Sequence, residues 1–229
     1  MNPPNLKVKP FAFIIFVFFA ISFVGISFLT GREVENVTSA LVVAYKTIPV
    51  ILGLWGLFVW KGWKIKRLNG WLVPFPNLNG TWEGTIQTTW KHEDGTIPGP
   101  IPVILTVKQS FTRISCVMRT GEMTSRSHFA DFWIDGDEQL RNLGYSYTSV
   151  PSALIVDRSP AHDGTVTFEI IGDPVTKLKG TYWTARKTTG EITLTFKTKE
   201  MLDEYPAELG EHPMSEKRVT DLMKKEVAE

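Results

Sequence analysis

Between Lys9 and Arg32 the chain carries no charge: FAFIIFVFFAISFVGISFLT, residues 11–30, is apolar almost throughout. A helix rises 1.5 Å per residue, so about 20 residues cross a hydrocarbon core of roughly 30 Å. The run predicts a membrane-spanning helix. It is too long for the apolar core of a signal peptide, and a second hydrophobic stretch follows at once. That stretch, VTSALVVAYKTIPVILGLWGLFVW at 37–60, is interrupted by Lys46. The uncharged part from Thr47 to Trp60 is too short to span alone, so the helix must begin before the lysine. Lys46 then either snorkels to the nearer surface or serves as a functional charge at a helix contact. Pro49 is expected to bend this helix or break one of its hydrogen bonds nearby, and Trp55, Trp60 and Trp63 mark its interfacial end. The connection GREVEN, 31–36, is short, which makes the pair a tight hairpin.

Beyond WLVPFPNLNG the period changes from helical to two. Strands are predicted near 78–90, 101–109, 113–120, 124–134, 138–148, 165–171, 179–187 and 190–198, separated by turn-forming stretches such as TGEM, AHDG and TTG. No connection has room for a crossover helix, which excludes parallel α/β folds. Eight short antiparallel strands form either a sandwich or a closed barrel. Consecutive hairpins and glycines inside strands at Gly80, Gly84, Gly144 and Gly180 favour the barrel. The expected fold class is thus an N-terminal transmembrane helical hairpin followed by an all-β, eight-stranded antiparallel up-and-down barrel, lipocalin-like in form. The expected domains are a two-helix membrane domain at 1–70, a linker at 71–77, the barrel at 78–199 and an acidic tail at 200–229. In that tail Ser215 could cap a short helix carrying Val219, Leu222, Met223 and Val227.

Four strands alternate cleanly. Trp82, Ile86 and Trp90 share one face; so do Val103, Leu105 and Val107; Val166, Phe168 and Ile170; and Ile192, Leu194 and Phe196. These suffice for a core, with Trp82 as its structural plug. The others are mixed. Tyr145 and Tyr147 share a face with Arg141 and Leu143; Tyr182, Thr184 and Arg186 share another; Arg126, His128, Ala130 and Phe132 oppose Ser125, Ser127, Phe129, Asp131 and Trp133. Rings interleaved with arginines suit a small anionic aromatic ligand, because bases stack on rings and guanidinium groups take phosphate bidentately. The same pattern also reads as an exterior of solvated arginines and half-buried tyrosines.

Net charge is +1 over 229 residues, but it averages three unlike parts. Residues 1–76 carry eight basic and two acidic side chains, residues 77–199 thirteen of each, and residues 200–229 four basic and nine acidic. The β-region has no basic field for DNA or long RNA. Lysines and Arg67 flank the hairpin at both outer ends (Lys7, Lys9; Lys61, Lys64, Lys66), which places both termini and the β-region in the cytoplasm by the positive-inside rule. A lone Cys116 excludes an internal disulfide and agrees with a reducing compartment. His92, His128, His162 and His212 lack metal-ligand spacing, and no phosphate loop, dinucleotide fingerprint or nucleophile elbow is present. Asp131, Asp135, Asp137 and Glu138 read as a solvated acidic turn. An enzyme is not expected, and neither a metal nor a cofactor.

LNGTWEG at 78–84, LGYSYTSVP at 143–151 and KGTYWTARKTTGEITL at 179–194, in that order behind a two-helix hairpin, carry a resemblance. The chain resembles the SMODS-associating, two-transmembrane, β-strand-rich effectors of cyclic-oligonucleotide-based anti-phage signalling, over residues 11–60 and 78–199. The resemblance implies a barrel that recognises a cyclic dinucleotide made by a partner nucleotidyltransferase. It further implies homo-oligomerisation on ligand binding and disruption of the bacterial inner membrane, causing abortive infection. Tyr145, Tyr147, Arg186, Tyr182, Thr184 and, more weakly, Arg126 become the expected ligand-facing residues. The alternative is a membrane-tethered, lipocalin-like carrier or receptor for an apolar small molecule.

Overall fold

The computed structural model describes residues 8–31, 35–92, 94–135 and 139–214. The chain divides into two compact units: Met1–Pro76 with Ser110–Thr112, and Asn77–Gln109 with Arg113–Glu229. Lys7, loop residues 32–34, Asp137 and Glu138, and the helix expected from Ser215 lie outside the described residues.

The first unit holds α1 (Val8–Thr30) and α2 (Val37–Trp60), both long and apolar enough to cross a membrane. Asn36 caps α2: its side chain accepts from the Ser39 amide at 2.8 Å while the Ser39 hydroxyl accepts from the Asn36 amide at 3.2 Å. Two otherwise orphaned donors are satisfied this way. Phe11, near the start of α1, meets Trp55, near the end of α2, edge to face at 4.8 Å, so the helices run antiparallel. Pro49 is accommodated within a continuous helix. Lys46 is exposed. After α2, two short 3-10 turns lead into the segment read as a linker, where Leu72, Val73 and Phe75 are buried. Phe75 and Phe111 lie 5.8 Å apart and Phe58 and Phe111 5.3 Å apart, in an aromatic cluster belonging to this unit.

The second unit is a closed barrel: β1 (Gly80–Thr88), β2 (Ile101–Gln109), β3 (Ile114–Arg119), β4 (Met123–Asp135), β5 (Leu140–Pro151), β6 (His162–Ile171), β7 (Lys177–Thr184) and β8 (Thr189–Thr198). Each strand pairs antiparallel with its sequence neighbours, and β1 pairs with β8 to close the ring. Where β1 begins, the interior is filled. Trp82 is 1% exposed and donates its indole N–H to the Leu78 carbonyl at 3.0 Å, and Leu105, Leu143, Phe168, Leu178 and Leu194 are fully buried. Gly84 and Gly180 permit close backbone approach, since a Cβ would come within 1.9 Å of the Thr193 carbonyl oxygen and 2.0 Å of that of Thr167.

Several expectations change. The register of β4 shifts between Ser127 and Phe129, a bulge that exchanges inner and outer faces. Before it, Arg126 points outward and is exposed; after it, Phe132 is buried while Phe129 and Trp133 are exposed. A single alternation could not describe this strand. Phe196 is 40% exposed rather than in the core, resting edge-on against Trp82 at 5.2 Å beside a register shift in the β1–β8 pairing. Trp90, also 40% exposed, lies beyond the end of β1. On β2 both faces are buried, Ile104 and Thr106 as well as Val103, Leu105 and Val107. The reason is the tail. Thr106 donates its hydroxyl to the Leu202 carbonyl at 2.7 Å, Thr81 donates to the Glu200 carbonyl at 2.7 Å, and the Leu202 amide donates back to Thr81 at 3.0 Å. Residues 200–214 are strapped along the outside of the barrel.

Candidate ligand-binding site

The odd strands end, and the even strands begin, at the mouth opposite Trp82. A cavity of about 360 Å³ opens there, in the range of small-molecule sites. Ile86, Met118, Val166 and Ile192 give it an apolar lining; Tyr147, Tyr182, Thr184 and Arg186 come from β5, β7 and the turn after β7.

Two glycines make room for the rings. Gly164 faces Tyr147 across the β5–β6 pair, and a Cβ there would lie 2.4 Å from the phenol oxygen. Gly190 faces Tyr182 across β7–β8, and its Cβ would lie 2.6 Å from the ring. Burial pushes the Tyr147 phenol up to about 12, helped by Tyr182 and opposed by Arg186. Burial also raises Tyr182, against the pull of the Thr88 hydroxyl and Arg186. Both phenols are therefore neutral donors near pH 7. Arg186 loses some basicity to burial, while the two tyrosines act the other way; its guanidinium stays charged.

Arg186 does not lie on β7, which ends at Thr184. It stands in the turn and donates to the Ser159 hydroxyl at 2.7 Å, with His162 Nε2 3.4 Å from its other terminal nitrogen. Burial lowers the His162 pKa, only partly countered by its hydrogen bond to Pro160. A second guanidinium, Arg158, bonds Glu122 Oε1 at 2.5 Å, and His212 Nδ1 lies 3.4 Å from the other oxygen of that carboxylate.

The structure thus brings Tyr147, Tyr182, Thr184 and Arg186 to one cavity. Tyr145 is not in its lining. It is 1% exposed in the interior, ring centroid 5.9 Å from that of Tyr147, and its hydroxyl has no hydrogen-bond partner among the described residues. Arg126 is not in the lining either, since the register before the β4 bulge turns it outward. Arg158, Ser159, His162, Glu122 and His212 were not found from sequence. A signal for two of them, Arg158 and Ser159, exists: 152–161 is one of the longest connections between strands, and long connections concentrate functional groups.

Two guanidinium groups, two neutral phenols and two imidazoles over an apolar lining can hold a planar, multiply anionic ligand: the cations meet phosphate and the rings offer stacking faces. No group of metal-ligating side chains occurs among the described residues. Residues 73–196 match the model of a family described as Cap15, cyclic dinucleotide receptor domain. The chain is also similar to CD-NTase-associated protein 15 of Staphylococcus schleiferi, 29% identical over 137 residues, which cover 60% of this chain and 68% of that protein. The family match takes in more than half of the chain and nearly all of the eight-stranded ring described above; this chain belongs to the Cap15 cyclic dinucleotide receptor family.

Proposed function

We propose that a cyclic dinucleotide binds in the mouth of the barrel, with Arg186 meeting one phosphate and Tyr147 and Tyr182 flanking the bases or sugars. The observation that carries this reading is the convergence of two arginines and two neutral phenols on a single apolar-lined cavity. The protein is a cyclic-dinucleotide-responsive membrane effector of anti-phage defence, not an enzyme: the family is one of receptors, and two membrane-length helices precede the barrel. The relative's name associates it with a CD-NTase, and the ligand of this chain is proposed to come from such a nucleotidyltransferase.

The finer mechanism follows from the helices. Described residues of α1 offer no charged side chain beyond Lys9, and α2 offers only Lys46, so one hairpin cannot enclose a water path. Several must gather. Apolar helices associate weakly in lipid because no hydrophobic force separates helix from lipid tail. Ligand-stabilised contacts between barrels would raise the local concentration of hairpins, assemble them in the inner membrane and disrupt it, killing the infected cell. Both termini and the barrel are proposed to lie in the cytoplasm, on the basic flanks of the hairpin.

The alternative, a carrier of an apolar molecule, needs a long greasy channel. Here the half of the barrel beneath the cavity is occupied by Trp82, Tyr145, Phe168 and leucines. Calorimetric titration of the full chain in nanodiscs with a panel of 3′,3′-cyclic di-AMP, di-GMP, GMP–AMP and di-UMP, and with a fatty acid, tests the choice. Saturable binding of one nucleotide and none of the fatty acid is expected; the reverse overturns the assignment.

A further inference from the structure

The family match ends at residue 196, yet the cavity does not. After β8 the chain turns at Glu200 and is fixed to the outside of the barrel by Thr81 and Thr106, far from the mouth. Arg119 adds a hydrogen bond to the Leu202 carbonyl at 3.3 Å. The Tyr205 hydroxyl donates to the Gly210 carbonyl at 3.0 Å, holding the next bend. His212 then passes Gly121, where its amide nitrogen would lie 3.5 Å from an added Cβ, and His212 and Met214 enter the cavity lining.

At the rim three segments meet through one carboxylate. Glu122, from the β3–β4 turn, has a side chain 7% exposed and bonds Arg158 of the β5–β6 connection; His212 of the strap stands against its second oxygen, 11% exposed. A buried carboxylate repels an incoming phosphate unless its charge is matched. As long as Glu122 holds Arg158, that guanidinium is only partly available to a ligand.

We infer that residues 200–214 are a working wall of the receptor: an anionic ligand takes Arg158 from Glu122, and His212 of the strap takes a proton from water and replaces Arg158 as the partner of that carboxylate. This rests on the reading of the cavity as a cyclic dinucleotide site and extends it to a segment outside the family domain. It gives the second phosphate its cation while His212 stays against Glu122. It also makes binding proton-linked. Among the described residues the titratable groups facing His212 are Glu122 and Arg158, and its Nδ1 also accepts from the Met214 amide at 3.3 Å; Arg186 and His162 line the same cavity. Burial and then Arg158 hold the free imidazole below its usual pKa, while Glu122 acts against them. Drawing Arg158 toward phosphate weakens one of the lowering causes, so protonation is easier in the complex and affinity rises as pH falls into the imidazole's range.

The experiment uses the full chain in nanodiscs and the cyclic dinucleotide of the panel that binds it. Calorimetry in buffers of differing ionisation enthalpy should show net proton uptake on binding. His212→Ala should weaken binding about five- to tenfold at pH 6.5. His212→Gln should flatten the pH profile, and His128→Gln, exposed on β4 and outside the cavity lining, should leave its slope. The pair Thr81→Val and Thr106→Val, distant from the cavity but releasing the strap, should weaken binding measurably, with thermal melting confirming a folded barrel. If no panel member binds the folded wild type, the reading of the cavity falls and this inference with it. If wild type binds but His212→Ala matches it in affinity and pH profile, the cavity reading stands and the strap inference is overturned.

Discussion

The phenol oxygen of Tyr147 occupies the space that a side chain on Gly164 would need: a Cβ at Gly164 would stand 2.4 Å from it and 2.9 Å from the Trp183 carbonyl oxygen. One contact is with a side chain and the other with rigid backbone, so the clash cannot be relieved by rotating Tyr147 alone. Gly164→Ala is therefore expected to cost about 1–3 kcal/mol of stability, the usual range for overpacking, and to displace the ring from the cavity. Gly99→Ala, in open space, is the control and should leave melting unchanged. Thermal melts and ligand titration of both variants check this; equal melts would mean that the ring is not seated as described.

Arg186→Ala is expected to weaken cyclic dinucleotide binding far more than Lys197→Ala. Arg186 lines the cavity, whereas Lys197 is on the outer surface, paired with Glu83 and 3.8 Å from Glu208. Removing a charge-assisted partner of phosphate costs about 1.5–3 kcal/mol, roughly ten- to a hundredfold in affinity. Calorimetry on the two variants should separate them by at least that lower figure; identical affinities would place the ligand elsewhere.

Tyr145→Phe should leave the barrel as stable as wild type or more so. The hydroxyl is fully buried without a partner among the described residues, and burying such a group costs about 1–3 kcal/mol. Tyr145→Ala should instead cost about 3–5 kcal/mol by leaving a cavity beside Tyr147 and Phe168. Denaturant midpoints distinguish the two, and a clear loss of stability in Tyr145→Phe would reveal a hydrogen bond made by that oxygen.

The barrel's plan was legible because half its strands alternate without interruption: Val103, Leu105 and Val107 and Val166, Phe168 and Ile170 are buried as the period requires, while on β8 and past the end of β1 the pattern fails at Phe196 and Trp90, which are exposed. β4 was opaque because a bulge changes parity in mid-strand, which no fixed period of two can follow. At the site, alternation puts Tyr182, Thr184 and Arg186 on one face and Tyr147 on a face of its own strand, but the mixed pattern left open which face is inward, and the family resemblance alone pointed to them as ligand-facing. All four line the cavity, Arg186 from the turn beyond the strand. Glu122, Arg158 and His212 escaped because a turn, a long connection and a tail meet only in three dimensions. The start of the tail is held to the barrel by side chains of β1 and β2 bonding to the Glu200 and Leu202 carbonyls, which no sequence pattern marks.

Permeability of the inner membrane to a small dye should rise in cells making the full chain only when a binding cyclic dinucleotide is supplied. The same cells making residues 77–229 should show no rise, because that fragment lacks both membrane-length helices. Leakage from the fragment, or ligand-independent leakage from the full chain at native expression, would overturn the division between sensing and acting.

Closure of the sheet by β1 against β8 has a bearing on how copies of the protein could meet. β1 and β8 pair along most of their length, whereas β4 pairs with β3 only from Thr124 to Arg126 while its pairing with β5 runs on to Asp135; closure therefore blocks the templating of a neighbour's strand where a strand is paired on both sides. Along those stretches strand addition is closed to the folded receptor. Barrels that gather through them must do so by side chains on their outer surface, in contacts that form and dissolve without any backbone being re-paired. Such clustering is reversible in kind: washing out the ligand should return the receptor to its starting state with no unfolding step in between.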